Sequence, residues 1–338
     1  MWSKLTAMML VLAVMATGLA MAATTLNGAG ATFPQPLYNK WFYDFNKQTG
    51  IQVNYQGIGS GGGIKALKAN TVHFAGSDAP LFGTELTSMP GKVLQLPTCG
   101  GAVSLAYNLS GANKQLRLSP STVSGIFLGQ IKNWSDPKVK AENPGMNLPN
   151  RAITVIHRSD GSGTTHLFTS YLAAVSPTWK TQVGAGKEVK WPCGEGGKGN
   201  PGVAGLIKNI PGSIGYVELV YAAQNRLPVA LVKNRGGRYI NPSLASTTAA
   251  IKGSLRVLKA DVRSSIVNPS GADAYPICGL TFIFVYQDQS DATIQAALVK
   301  LLNWCMSDYA QKTAEKYYYA SLPAELIAIN KALIATIK

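Results

Sequence analysis

Three stretches of this sequence set glycine beside serine or threonine just ahead of an apolar, periodic segment. They are Gly28-Ala29-Gly30-Ala31-Thr32-Phe33-Pro34, Gly57-Ile58-Gly59-Ser60-Gly61-Gly62-Gly63 and Arg158-Ser159-Asp160-Gly161-Ser162-Gly163-Thr164. Glycine lets a backbone approach a ligand closely. A hydroxyl next to the unpaired N–H groups of a helix start adds a donor where the helix already carries about +0.5 charge. One such junction reads as an ordinary capped turn. Together they point to a single tetrahedral oxyanion held by several helix termini.

Two ionisable groups sharpen that chemistry. In His73-Phe74-Ala75-Gly76-Ser77-Asp78-Ala79-Pro80, Asp78 stands at the end of a buried-looking strand, the edge where open α/β sheets bind ligands. A carboxylate facing an oxyanion repels it unless the anion brings a proton. Hydrogen phosphate and dihydrogen phosphate carry one; sulfate at neutral pH does not. An unpaired Asp78 beside a like charge would cost on the order of several kcal/mol. A plain turn cap before Pro80 is the alternative, and the residues alone leave both open. Arg158 brings a full cation in a fork that suits tetrahedral oxyanions. Asp160, two residues on, is placed to orient or partly neutralise it, or else the two form a surface pair of little worth.

The elements that must position these residues alternate between strand and helix, which predicts an α/β fold with a mostly parallel sheet. Leu37, Trp41 and Phe45 recur every fourth residue as one helix face. Strands are expected at 51–55, 73–77, 153–157 and 280–286, and helices at 64–69 and 164–173. The C-terminus is expected to be helical twice more, with Ile294, Leu298, Leu301 and Cys305 on one face and Leu322, Leu326, Ile329, Leu333 and Ile337 on another. No short repeat appears. Residues 108–150 and 184–276 are richer in Gly, Pro, Asn and Lys than their flanks, as for a middle lobe inserted into a lobe made from both chain ends.

At the start, Lys4, the apolar run from Met8 to Leu19 and Ala20-Met21-Ala22 have the form of a signal peptide cleaved after Ala22. The run is short of the ~20 residues that cross a bilayer. Export also bears on the charge. Thirty-one Lys plus Arg against sixteen Asp plus Glu gives +15. Nucleic acid is disfavoured by export and by the lack of a dense basic helix stripe. The basic run from Arg226 to Arg263 is a solvated face, a field that steers an anion, or a docking surface for an acidic partner. Cys99, Cys193, Cys278 and Cys305 make an even count in an oxidising compartment, so one disulfide is expected with its connectivity open. Cys305, inside a helical pattern, is the best candidate for an ordinary buried thiol. The cysteine spacing matches no metal site, and His73, His157 and His166 form no metal-protease motif. No G-x-S-x-G elbow or complete P-loop occurs, and no activated nucleophile can be assembled, so an enzyme is not expected.

The three loops, with Tyr55-Gln56-Gly57-Ile58-Gly59-Ser60, Gly76-Ser77-Asp78-Ala79-Pro80, Trp191-Pro192, Gly196-Gly197-Lys198-Gly199-Asn200, Gly212-Ser213-Ile214-Gly215-Tyr216-Val217-Glu218 and Tyr319-Ala320-Ser321-Leu322-Pro323, resemble the periplasmic phosphate-binding proteins of high-affinity phosphate ABC importers. The likeness runs through the mature chain in order. It implies a type II periplasmic-binding-protein fold: a first lobe of 23–98 plus 279–338, a second of 103–275, and hinge crossovers at 99–102 and 276–278. Phosphate would be held by Thr32, Phe33, Ser60, Asp78, Arg158, Ser162, Gly163 and Thr164, with Ala31 and Asp160 in support. The partners implied are inorganic phosphate and the permease subunits of the importer, with no cofactor and no metal, for a monomer in the periplasm. This chain departs from many relatives in having Gly61 where they have a second serine, in its cysteines and in its charge. By the same analogy Cys99 and Cys278 fall near the crossovers, where a bridge could restrain the hinge; Cys193–Cys278 is equally open. Rival readings are a receptor for another protonated oxyanion such as arsenate, or a basic surface or adhesive protein.

Overall fold

A computed structural model describes residues 24–111 and 113–338, so the expected signal peptide lies outside the described residues. The strands are β1 (Thr25–Gly30), β2 (Gln52–Gly57), β3 (Phe74–Ser77), β4 (Val93–Tyr107), β5 (Arg117–Leu118), β6 (Thr154–Arg158), β7 (Glu195–Gly197), β8 (Ser213–Glu218), β9 (Leu231–Lys233), β10 (Tyr239–Ile240) and β11 (Cys278–Tyr286). Eight of them form one sheet in the order β2-β1-β3-β11-β4-β8-β6-β7, and β10-β9-β5 form a small second sheet.

The large sheet has two parallel wings and an antiparallel centre. β1 pairs parallel with β2 and β3, and β6 pairs parallel with β7 and β8. β4 and β11 run antiparallel to each other and to their outer neighbours. The expected parallel sheet is therefore found only in the wings. The centre differs because the chain crosses between lobes outward in β4 and back in β11. β4 pairs with β11 from Val93 to Ala102 and with β8 from Val103 to Tyr107, so one strand serves both lobes. Pro97, which has no N–H to give, sits where the β4–β11 register shifts between Thr281 and Phe282.

Each wing is closed by helices whose apolar faces bury against it. Leu37, Trp41 and Phe45 of the helix Gln35–Thr49 are wholly buried, and Gly50 ends that helix with φ 73°. In the second lobe the helix Gly163–Val175 buries Leu167, Phe168, Tyr171 and Leu172. The C-terminus holds three helices rather than the two expected: Ala292–Cys305, Asp308–Lys316 and Ala324–Ile334. Leu322 and Ile337 are buried but lie outside the last helix, whose buried residues are Leu326, Asn330 and Ile334. Asn330 displaces the expected apolar position because its amide donates to the Pro97 carbonyl (2.6 Å).

All four cysteines are free thiols, against the expected disulfide. Cys99 lies opposite Thr281 and Cys278 opposite Ala102, so along the β4–β11 ladder the two are three residues out of register. At about 3.3 Å per residue that offset exceeds the Cα separation a disulfide spans. Cys305 is wholly buried, as expected, and burial pushes its thiol far above the usual range.

Candidate functional site

The first of the three junctions follows β1. Gly30 has φ 145°, and a Cβ there would stand 2.1 Å from the Gly76 carbonyl of β3, so only glycine fits. Ala31 N–H then donates to that carbonyl (2.8 Å). This leaves Thr32 and Phe33, 3% and 0% exposed, to bridge strand and helix. The second junction opens the helix Ser60–Lys68 with Ser60 wholly buried. The third follows β6 and opens the helix Gly163–Val175, where the Ser162 hydroxyl caps the start by accepting from Thr165 N–H.

Hydrogen bonds join these starts across the lobes. Gly163 N–H donates to Ser60 Oγ (3.0 Å), and Gly61 N–H donates to the Gly161 carbonyl (2.9 Å). A Cβ on Gly163 would come within 2.6 Å of the Asp78 side chain. Asn200 ties the arrangement together. Its backbone N–H and its Nδ2 both donate to Thr32 Oγ1 (3.0 Å each), and Nδ2 also donates to Thr164 Oγ1 (3.1 Å). Its Oδ1 accepts from Glu218 N–H (2.9 Å).

Arg158, 4% exposed, uses one edge of its guanidinium on Asp160: Nε to Oδ1 at 2.7 Å and Nη2 to Oδ2 at 2.5 Å. Nη1 reaches Thr164 Oγ1 at 3.4 Å. Burial raises the Asp160 carboxyl, but the hydrogen bond and charge of Arg158 and the Gly199 N–H outweigh it and hold it below the usual carboxylate range. Asp160 therefore stays ionised and fixes the fork. The pair is a built, half-enclosed one and not a loose surface bridge.

Asp78 is 1% exposed, and its Oδ1 accepts from Thr281 Oγ1 of β11 (2.8 Å). Burial pushes its carboxyl up to about 7, against the pull of the Thr281 hydrogen bond and the Arg158 charge. The hydroxyls around it are already supplied with donors. Thr32 Oγ1 takes two N–H bonds from Asn200, Ser60 Oγ takes Gly163 N–H, and Thr164 Oγ1 takes Asn200 and Arg158. Each hydroxyl has one proton left to give. The backbone N–H groups of Thr32, Phe33, Ser60 and Thr164 have no acceptor among the described residues. The site is thus a buried set of donors with a guanidinium, in which Asp78 is the carboxylate acceptor. Chemically, that set suits a tetrahedral oxyanion carrying a proton.

All the residues singled out in the sequence, Ala31, Thr32, Phe33, Ser60, Asp78, Arg158, Asp160, Ser162, Gly163 and Thr164, meet in this cluster. The N–H groups of Ser162 and Gly163 are spent inside the protein, on the Lys187 carbonyl and on Ser60 Oγ. The sequence alone assigns no role to Asn200, Thr281 and Tyr216, whose hydroxyl accepts from Arg158 N–H (3.1 Å). Only the Gly196–Asn200 and Gly212–Glu218 motifs signalled that two of them mattered. Of the basic run, Arg263 reaches the cleft, pairing with Asp261 and lying 4.8 Å over the Phe82 ring. An opening of about 520 Å³ between Lys65, Phe82, Glu85, His166 and Lys187 forms an outer mouth beside the donor set, and a larger one of about 620 Å³, lined by His166, Arg263 and Phe282, reaches Asp78.

A family model described as a PBP superfamily domain matches residues 16–309. A phosphate-binding protein PstS of Xylella fastidiosa strain Temecula1 is 42% identical over 303 residues, spanning 89% of this chain and 82% of that protein. A protein of the same name from Pasteurella multocida is 41% identical over 322 residues, 95% of this chain and 93% of that one. A solved high-affinity periplasmic phosphate-binding protein, bound with phosphate at pH 8.5, aligns with a TM-score of 0.73 at 26% identity, covering 91% of this chain and 93% of that chain.

Proposed function

The chain belongs to the PBP superfamily and, within it, to the phosphate-binding PstS proteins, and on that premise we propose that it is the periplasmic receptor of a phosphate ABC importer. The observation that carries this reading is the ring of donors around one buried acceptor, Asp78. Hydrogen phosphate satisfies both: its oxygens accept from Thr32, Phe33, Ser60, Arg158, Ser162 and Thr164, and its own O–H donates a hydrogen bond to Asp78. Sulfate offers an ionised Asp78 only repulsion. Ser60 and Ser162 accept N–H bonds and touch no base, which favours a receptor over an enzyme.

Capture proceeds by lobe closure. The first lobe comprises 23–98 and 279–338 and the second 103–275, with hinges at 99–102 and 276–278, where β4 passes from β11 to β8. Phosphate docks on the helix starts of one lobe, the other closes, and the excluded water strengthens every remaining hydrogen bond. The permease subunits then read the closed monomer, which works after removal of residues 1–22.

Calorimetric titration of ligand-stripped protein with phosphate and with sulfate tests this, for wild type and Asp78→Asn. At pH 8.5, where Asp78 is ionised, wild type is expected to bind phosphate and give no heat with sulfate, and the variant to lose at least about tenfold of that discrimination. Silence towards phosphate would refute the receptor reading.

A further inference from the structure

Three successive carbonyls of the first junction are each held by a tyrosine. Tyr55 donates to the Ala31 carbonyl (2.9 Å), Tyr221 to that of Thr32 (2.6 Å) and Tyr319 to that of Phe33 (2.6 Å). The three come from unrelated places: β2, the helix Leu219–Gln224 and the loop before Ala324–Ile334. Burial first, and then the nearby Asp78 or Glu218 charge, pushes all three phenols above their usual range, so each keeps its proton and donates. Tyr319 also lies 3.2 Å from Glu218 Oε2, but the Phe33 carbonyl is the shorter of its two acceptors.

A peptide unit is planar, with the carbonyl of one residue and the N–H of the next pointing opposite ways. Holding the Ala31 carbonyl therefore aims Thr32 N–H, and holding the Thr32 carbonyl aims Phe33 N–H. These are two of the N–H groups that have no acceptor among the described residues. The third plane ends in Pro34, which has no N–H, so Tyr319 fixes only the exit into the helix. A donated bond to a carbonyl also polarises its peptide and strengthens the N–H on the far side. Tyr221 alone of the three belongs to the second lobe.

We propose that Tyr55 and Tyr221 are positioning residues that aim the Thr32 and Phe33 N–H groups at the bound anion, and that Tyr221 does so only across a closed cleft. This rests on the phosphate-receptor reading. Tyr221 thereby makes the backbone donors of the first lobe better when the second lobe arrives, so closure raises affinity through a residue that need not touch phosphate. Its action is seconded by Asn200, which grips the Thr32 hydroxyl from the same side.

The test is stopped-flow and calorimetric phosphate binding by wild type, Tyr221→Phe, Tyr55→Phe and Tyr171→Phe, with thermal melts of each phosphate-free protein. Tyr171 is the control: its buried hydroxyl has no hydrogen-bond partner, and it lies outside the junction. Tyr221→Phe is expected to raise the phosphate dissociation rate about five- to tenfold, with association and the phosphate-free melting temperature unchanged. Tyr55→Phe, altered within one lobe, is expected to weaken binding about three- to tenfold, and Tyr171→Phe not at all. Wild-type dissociation rates in both Tyr221→Phe and Tyr55→Phe would overturn the proposal while leaving the receptor reading intact. So would a Tyr221→Phe defect confined to the phosphate-free melt. Failure of wild type to bind phosphate would remove both.

Discussion

In the proposed receptor, Asp78 is the residue on which selectivity and stability meet. Its carboxyl, raised to about 7 by burial, binds a proton more tightly in the folded than in the unfolded chain, where about 4 is usual. The stability linked to that proton is complete below the unfolded value and is lost as pH rises through about 7. Asp78→Asn cannot ionise and can still accept from Thr281. Phosphate-free Asp78→Asn is therefore expected to melt about 2–6 °C above wild type at pH 8.5, an advantage that shrinks towards pH 5. A difference that grows on acidification would contradict the assignment. Asp78, Arg158 and Asp160 were readable from the sequence because each lies in a short loop whose glycines and neighbours announce it. Asn200, Tyr221 and Thr281 were not. Their partners Thr32 and Asp78 are 168, 189 and 203 residues away, and no local pattern carries such a pairing.

At the scale of elements, the helix starts are the working parts of the proposed receptor, and how closely they approach is set by side-chain size. Gly163 opens its helix against Asp78 of the other lobe, with space for no Cβ. Gly163→Ala suits the first turn of a helix, so the phosphate-free fold should melt as wild type does. The added methyl would collide across the cleft, and phosphate affinity is expected to fall at least about tenfold by calorimetry. Unchanged affinity would mean that the helix start does not come this close in the bound state. The helices with strong apolar periodicity, such as Gln35–Thr49, were legible to within a few residues. The strand β4 was not, because it is buried along its whole length and so shows no alternation, and Pro97 and Gly100-Gly101 look like loop. The helix Asp308–Lys316 was missed for the opposite reason: its buried side is made of Ala310, Gln311, Thr313 and Ala314, which do not register as an apolar face.

For the molecule as a whole, the lobes also touch at the rim, where Lys187 meets Glu85 and Arg263 covers Phe82. Glu85 is half exposed, so that pair adds only about 0–1 kcal/mol and fades with salt. Stability rests on the continuous apolar core and not on cross-links. A melt with and without reductant is accordingly expected to give one temperature, and thiol titration in denaturant to find the four cysteines reduced; a reductant-sensitive melt would show that a bridge forms after all. The position of β11 has another consequence. β11 lies between β3 and β4, yet it is the last strand in the sequence. As the chain emerges N-terminus first, β3 and that part of β4 wait with open edges while some 170 intervening residues appear, a stretch long enough for the second lobe to assemble first. Synthesis thus leaves the first lobe as a template with a slot down its middle, the form in which this chain is most in need of a chaperone.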